Sequence, residues 1–355
     1  MSRNDVKRAQ DTRAVWLIGT GGMAVDYANV LHALEVPVTA IGRGSNSAAL
    51  FTEKTGLPVL GGGLASYLET APPLPRSAIV AVGVESLAPA VRTLLAYGVV
   101  DILVEKPGSL AREELVELAA HAAAKSARVK IAYNRRFYAA TQRAQSMIAE
   151  DGGVKSLHFE FTEWGHEIRD LQKAAGVKDA WFLANSTHVV DLAFYLGGTP
   201  THLHALTAGT LDWHATSAVF AGAGQTETGA LFSYQANWDA PGRWGIEIMT
   251  TCHRLIFRPM ESLQMMRKGS VQIETVPLDD RLDKEFKPGL HQQVSRFLTG
   301  EDKGFCDIQE QLANWDLYCL IAGYRVRPHA PATWSRPARI GGEDESDGVQ
   351  GASGG

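Results

Sequence analysis

The sequence predicts an α/β protein in two parts: a parallel sheet covered by helices on both faces, then an α+β domain with a largely antiparallel open sheet. Two observations carry this. Up to residue 135, runs that are apolar at every position alternate with helical stretches of 10–15 residues. Only strands buried on both faces need that composition. Further along, strand-like runs follow one another without long helices between them.

Residues 14–19 (AVWLIG) form a buried strand, 23–34 a helix, 36–41 a second strand and 46–55 a short helix closed at Gly56. Residues 78–84 (AIVAVGV) are again apolar throughout; 87–97 make a helix that stops near Gly98. A strand at 100–104, an Ala/Glu/Leu helix at 111–125 and a strand at 128–133 complete the first pattern. Residues 137–150 are helical, and 156–164 (SLHFEFTEW) alternate as a half-buried strand does. A helix at 187–196 precedes strand-like runs at 201–209, 214–221, 227–237, 244–250, 253–258 and 270–276. Helices return at 290–299 and 307–323. The expected domains are 12–135 and 136–327, with a Pro-, Gly- and acid-rich tail over 328–355, partly disordered beyond some packing near Trp334.

Hydrophobic residues make up 45% of the 355-residue chain and charged residues 21%, as in ordinary globular proteins. The formal net charge is −5 and no long Lys/Arg run occurs, which speaks against nucleic acid or an anionic membrane as partner. No run approaches 18 apolar residues, and the polar N-terminus lacks a signal-type apolar core, so a cytoplasmic location is expected. Three cysteines in no metal-ligand spacing fit free thiols in a reducing compartment.

The sharpest motif is Gly19-Thr20-Gly21-Gly22-Met23-Ala24, a G-x-G-x-x-A turn between a strand and a helix. In that setting it marks a dinucleotide site of the Rossmann type. Gly19 permits the tight turn, Gly21 lets backbone approach a pyrophosphate, and Ala24 allows close helix–strand packing. The second strand then runs into Gly42-Arg43-Gly44-Ser45, without the acidic residue that holds the ribose of NAD. Arg43, with Ser45 beside it, is placed to meet a 2′-phosphate, favouring NADP over NAD. Alternatively, Arg43 stacks on adenine or faces solvent.

Glu105-Lys106-Pro107 ends a parallel strand, where ligands of open α/β sheets bind. A lysine there can hold a hydroxyl and stabilise a developing oxyanion. Tyr133-Asn134-Arg135-Arg136 follows the last strand of the first domain and is placed to contact substrate or nicotinamide, or to pair with acidic residues across the domains. Asn185-Ser186-Thr187-His188 opens the helix at 187, with Asp191 at i+3 from His188. His188 is the natural acid/base and Asp191 its orienting companion, or else the cluster is a helix cap. No HExxH or comparable ligand spacing occurs, so no metal is expected. The segment 237–244 breaks a strand pattern with Pro and Gly, and its Trp238 and Arg243 suit the faces and hydroxyls of a sugar.

The glycine turn, Glu105-Lys106-Pro107, Tyr133–Arg136 and His188–Asp191 together, in this order, resemble the glucose-fructose oxidoreductase/inositol dehydrogenase/rhizopine-catabolism family. The resemblance covers about residues 12–325. It implies an oxidoreductase moving a hydride between NAD(P) and a secondary hydroxyl or ketone of a sugar, cyclitol or nucleotide-linked sugar. It also implies a homodimer or homotetramer formed through the second sheet. Lys106 would contact the hydroxyl and His188 would move the proton; the glycine turn, Arg43, Ser45, Glu105 and Lys106 would hold the cofactor. Tyr133, Asn134, Arg135, Asn185, Trp238 and Arg243 would join Lys106 and His188 around the substrate. The family's usual aspartate four residues before the histidine is absent: the position is Ala184, with Asn185 next to it. Transient oxidation by a tightly bound nucleotide, and a non-catalytic NADP-binding role, are the alternatives.

Overall fold

The computed structural model describes residues 14–324 and 332–336. The first part runs β1 (Val15–Ile18), α1 (Gly22–Ala33), β2 (Val38–Ile41), α2 (Ser45–Thr55), β3 (Val59–Leu60), α3 (Gly63–Leu68), β4 (Ser77–Val80), α4 (Leu87–Tyr97), β5 (Asp101–Glu105), α5 (Arg112–Ala124) and β6 (Arg128–Ala132). These strands are parallel in the order β6-β5-β4-β1-β2-β3. The strand order reverses between β1 and β4, which opens a crevice outside their C-terminal ends. Every residue of β1 and β4 is buried, as their uninterrupted apolar composition requires. The fourth strand stops at Val80, earlier than its composition suggests, and residues 82–85 turn to line the crevice.

The second part contains α6 (Ala139–Glu150), β7 (Ser156–Glu160), α7 (Gly165–Asp170) and α8 (Thr187–Gly197). Strands β8 (Pro200–Ala208), β9 (Val219–Thr226), β10 (Leu231–Asn237), β11 (Gly245–Met249), β12 (His253–Phe257), β13 (Gln264–Arg267) and β14 (Ile273–Thr275) follow. Then come α9 (Arg281–Glu285), α10 (Leu290–Leu298), β15 (Cys306–Asp307), α11 (Ile308–Ala322) and β16 (Ala332–Ser335). The second sheet has the order β14-β13-β12-β11-β7-β10-β9-β8-β16, antiparallel except for the β7–β10 pair. Its inner face buries Leu157, Phe159 and Phe161 of the β7 arm against Phe182 and Phe194 beside and on α8.

Three expectations are corrected. The run at 214–221 enters the sheet only at Val219, because Leu211 and His214 bridge to each other and the His214 ring is buried against the Ser217 carbonyl. Residues 290–322 do not belong to the second part alone: β15 pairs with β6 in the first sheet and α10 packs on α1, while α11 packs on α5 and also on β8 and β9 of the second sheet. Within the expected tail, β16 pairs with β8 around Trp334; residues 325–331 and 337–355 lie outside the described residues.

Arg136 ties the parts together. Its Nε and Nη2 donate to both Asp191 oxygens at 2.8 and 2.6 Å, and Nη2 also reaches Glu310 at 2.6 Å. The pair joins the turn after β6 to α8 and α11, with both partners buried. Asp191, Cys306 and Glu310 converge as metal ligands would, but the guanidinium already occupies the two carboxylates. Removing one partner leaves the other charge buried and unpaired. Asp191→Ala should therefore lower unfolding free energy by about 3–5 kcal/mol in denaturant titration, and Arg136→Met/Asp191→Leu should recover part of that loss.

Candidate active site

The glycine turn fits a dinucleotide. A Cβ on Gly19, whose φ is +118°, would stand 2.2 Å from the Ala81 carbonyl oxygen, so only glycine lets β1 turn this close to β4. At the exposed Gly21 and Gly22 nothing lies within 4 Å of such a Cβ, which leaves room for a pyrophosphate. No side chain caps α1, so its first amides stay available to an anion. Ala24 is buried where α1 meets the sheet, and Thr20 donates to Ser47 at 2.9 Å, fixing the turn to α2.

The missing acidic residue has a steric reason. A Cβ at Gly42 would come within 2.6 Å of Thr20 Cγ2 and 3.0 Å of Val59 Cγ1. No Asp or Glu fits there without a shift. Arg43 and Ser45 are exposed where α2 begins, and Gly44 supplies no side-chain cap. An exposed cation and uncapped helix amides thus stand together at the end of this strand.

Next to this cradle lies a cleft of about 590 Å³ whose lining includes Met23, residues 82–85, Glu105, Lys106, Asn134, Arg135, Asn185 and His188. Lys106 leaves the end of β5, buried, and its ammonium donates to the Ala184 carbonyl. Burial pulls its pKa down to about 8; Glu105 and Glu163 oppose the shift and Arg135 adds to it. Glu105 accepts from Tyr27 at 2.7 Å, and burial raises its pKa. His188 is half-buried and neutral: burial first, then Arg135 and Lys106, hold its pKa well below the usual value. Its Nδ1 has no hydrogen-bond partner among the described residues.

Several sequence assignments change. Asp191 does not orient His188, because its carboxylate is spent on Arg136. Asn185 and Ser186 are not a helix cap: a π-helical turn, Phe182–Ser186, runs straight into α8. Tyr133 is fully buried, donates to Gln311, and backs the His188 ring edge-on at 6.1 Å rather than facing the cleft. Asn134 lines the cleft while its amide donates to the Pro288 carbonyl. Trp238 is a core residue, stacked on Trp213 and donating to the Phe161 carbonyl. The aromatic of that loop that reaches the site is Trp244, 6.3 Å from the His188 ring and 4.9 Å beneath the Arg135 guanidinium.

An outer chamber of about 320 Å³ adjoins the cleft and shares Arg135, Trp181, Asn185 and Glu261 with it. Arg243 lines it, over Trp164. So does Glu163, which sequence reasoning missed. Its carboxylate accepts from Asn185 Nδ2 at 3.0 and 3.1 Å and from Ser186 Oγ at 2.6 Å. Burial pushes its pKa up to about 6, against the pull of Ser186, Asn185 and Lys106.

Residues 13–133 match the family GFO_IDH_MocA, described as an oxidoreductase family with an NAD-binding Rossmann fold. The first domain is thus that of an NAD-binding oxidoreductase family, as the motifs imply. No curated protein matches the chain. Among solved structures, levoglucosan dehydrogenase in complex with NADH superposes with a TM-score of 0.74 at 16% identity, over 91% of this chain and 99% of that one. UDP-N-acetylglucosamine 3-dehydrogenase from Acidithiobacillus ferrooxidans gives 0.68 at 15%, over 87% and 96%. A protein from Desulfitobacterium hafniense, titled a putative NADPH-dependent oxidoreductase, gives 0.70 at 17%, over 88% and 95%. At these identities the likeness is one of fold. Among the described residues no helix is long and apolar enough to cross a membrane.

Burying a charged amine has a consequence for stability. Between pH 8 and 10.5 the unfolded chain binds the Lys106 proton and the folded chain does not, so this group makes stability rise with pH across that window. Lys106→Met should accordingly be more stable than the parent at pH 7, by about 1–3 kcal/mol, with the advantage shrinking toward pH 10. Denaturant midpoints at the two pH values measure this.

Proposed function

We propose that this protein is a nicotinamide-dependent dehydrogenase or reductase of a secondary hydroxyl or ketone on a sugar, cyclitol or nucleotide-linked sugar. The observation that carries this reading is the presence of Lys106 and His188 in one cleft beside the Gly19–Ala24 turn. The sugar class draws support from the fold neighbours that act on levoglucosan and UDP-N-acetylglucosamine. It is also consistent with Trp164 and Trp244 beside Arg135 and Arg243 in the outer chamber.

The bound nicotinamide supplies the hydride-accepting or hydride-donating carbon. The Lys106 ammonium holds the hydroxyl oxygen and stabilises negative charge on it. The neutral His188 ring contacts the same hydroxyl and orients its proton. Arg135, set over Trp244, closes the cleft beside them. NADP is the preferred dinucleotide, because Gly42 leaves no place for a carboxylate and Arg43 stands free at the start of α2. The outer face of the second sheet carries Leu206 and Leu231, 55% and 61% exposed, and supports the expected dimer or tetramer.

Two measurements test the reading. A panel of polyols, cyclitols and nucleotide sugars, followed at the nicotinamide absorbance, should yield at least one substrate. Lys106→Ala should then lower kcat about 100-fold or more while the dinucleotide still binds; turnover near that of the parent would overturn the assignment. In fluorescence titration, Arg43→Ala should weaken NADP about tenfold or more and leave NAD nearly unchanged. Tighter binding of NAD than NADP by the parent protein would contradict the cofactor preference.

A further inference from the structure

We propose that Glu163 is the acid/base carboxylate of this site, standing in for the side chain that Ala184 lacks and reaching the reacting hydroxyl from the wall between cleft and outer chamber. The proposal deepens the reading above and rests on it. The need for such a group comes from the neighbours. Lys106 is a proton donor at neutral pH and is already engaged with the Ala184 carbonyl. His188 faces Arg135, Lys106 and Lys287, so an imidazolium there is strongly disfavoured. Neither residue can keep the proton that an alcohol gives up on oxidation.

Glu163 is built for the task by its contacts. It lies just past β7, in a stretch, residues 161–163, where every residue is buried, so its carboxylate sits where an apolar side chain would be ordinary. Oε1 takes both the Ser186 hydroxyl and the Asn185 amide and Oε2 a second share of that amide, with the Trp181 indole N–H nearby but not in hydrogen-bond geometry. Oε2 therefore retains acceptor capacity toward a ligand. Among the described residues no Lys or Arg lies within 4.0 Å of the carboxylate, so it is not half of a structural ion pair. A buried carboxylate without a counter-ion destabilises the fold and is characteristic of a site. Asn185, shared by cleft and chamber, carries the connection between Glu163 and the Lys106 side.

In the oxidising direction the substrate O–H bond breaks and an O–H bond forms on Glu163 Oε2. The C–H electron pair leaves as hydride to the oxidised nicotinamide dinucleotide, and the proton then passes to water through the outer chamber. Reduction of a ketone runs the same steps backward. The charged and titratable groups facing Glu163 are Arg135, Arg243, Glu167 and Glu261 around the chamber, with Lys106 and His188 behind Asn185.

The test uses the dinucleotide-saturated protein and the polyol oxidised best in the panel. In the parent, kcat/KM for oxidation should rise with pH through about 6. Glu163→Gln should lower kcat about 100-fold or more and abolish that rise, and Ala184→Asp in the Glu163→Gln background should restore about tenfold or more. Turnover within about threefold of the parent with the acid limb intact would overturn the proposal. So would a loss that neither Ala184→Asp nor Glu163→Asp relieves, the signature of a brace for the π turn. Should no polyol be oxidised, the Lys106 titration decides, read by NMR of labelled lysines with Lys106→Met as assignment. Glu163→Gln removes a nearby negative charge and should move that midpoint down by about half a pH unit. An unchanged midpoint overturns the coupling of Glu163 to the site, whatever reaction the cleft performs.

Discussion

The desolvation of the Lys106 ammonium is the constraint around which the molecule is arranged. An ammonium removed from water must find an oxygen or lose its proton. Here the oxygen is the Ala184 carbonyl, contributed by the π turn of the second part, while the lysine itself comes from the sheet edge of the first. One contact thus joins the two sheets at the point where the crevice of the parallel sheet opens. The Arg136–Asp191–Glu310 cluster holds the same two parts in register further inside, joining the turn after β6 to α8 and α11. The return of α10 and α11 to the first sheet adds a third attachment. A cleft wall made of two domains is rigid only because of these ties.

Polar groups that are poorly satisfied gather around this cleft. His188 Nδ1 and Arg135 Nε lack partners, Lys106 has a lowered pKa and Glu163 a raised one. Each opposes folding; unpartnered buried polar atoms also occur away from the cleft, at Gln293 and Gln311 among others, so what sets this place apart is that they coincide here with shifted titratable groups. The charges are also ordered. Lys106 and Arg135 lie in the inner cleft beside a neutral imidazole, whereas Glu163 lines the outer chamber, hydrogen-bonded to the Asn185 that both cavities share.

Much of this was legible in the sequence, and the rest failed for identifiable reasons. Strands β1, β2, β4, β5 and β6 announce themselves because burial on both faces leaves mostly apolar positions, whereas the two-residue β3 has no pattern to read. The glycine turn and Lys106 sit where the strand ends demand them. The return of β15 to β6 was not legible: a two-residue strand has no periodicity, and only tertiary pairing defines it. Asp191 was misassigned because its i+3 spacing to His188 says which face it shares but not that Arg136 reaches it first. Trp238 carried a readable signal in its parity: it continues the buried positions Phe232, Tyr234 and Ala236 of β10, which places it in the core. Glu163 carried none, because Phe161, Thr162 and Glu163 are all buried past the end of β7 and alternation stops there.

The proposed function requires the dinucleotide cradle and the Lys106–His188 cleft to form one continuous reaction site. A crystal structure of the protein with bound NADP tests it most directly. The nicotinamide ring is expected in the cleft between Met23 and His188, with the 2′-phosphate against Arg43 and the pyrophosphate over Gly21. A dinucleotide whose nicotinamide lies outside that cleft, away from Lys106, would contradict it.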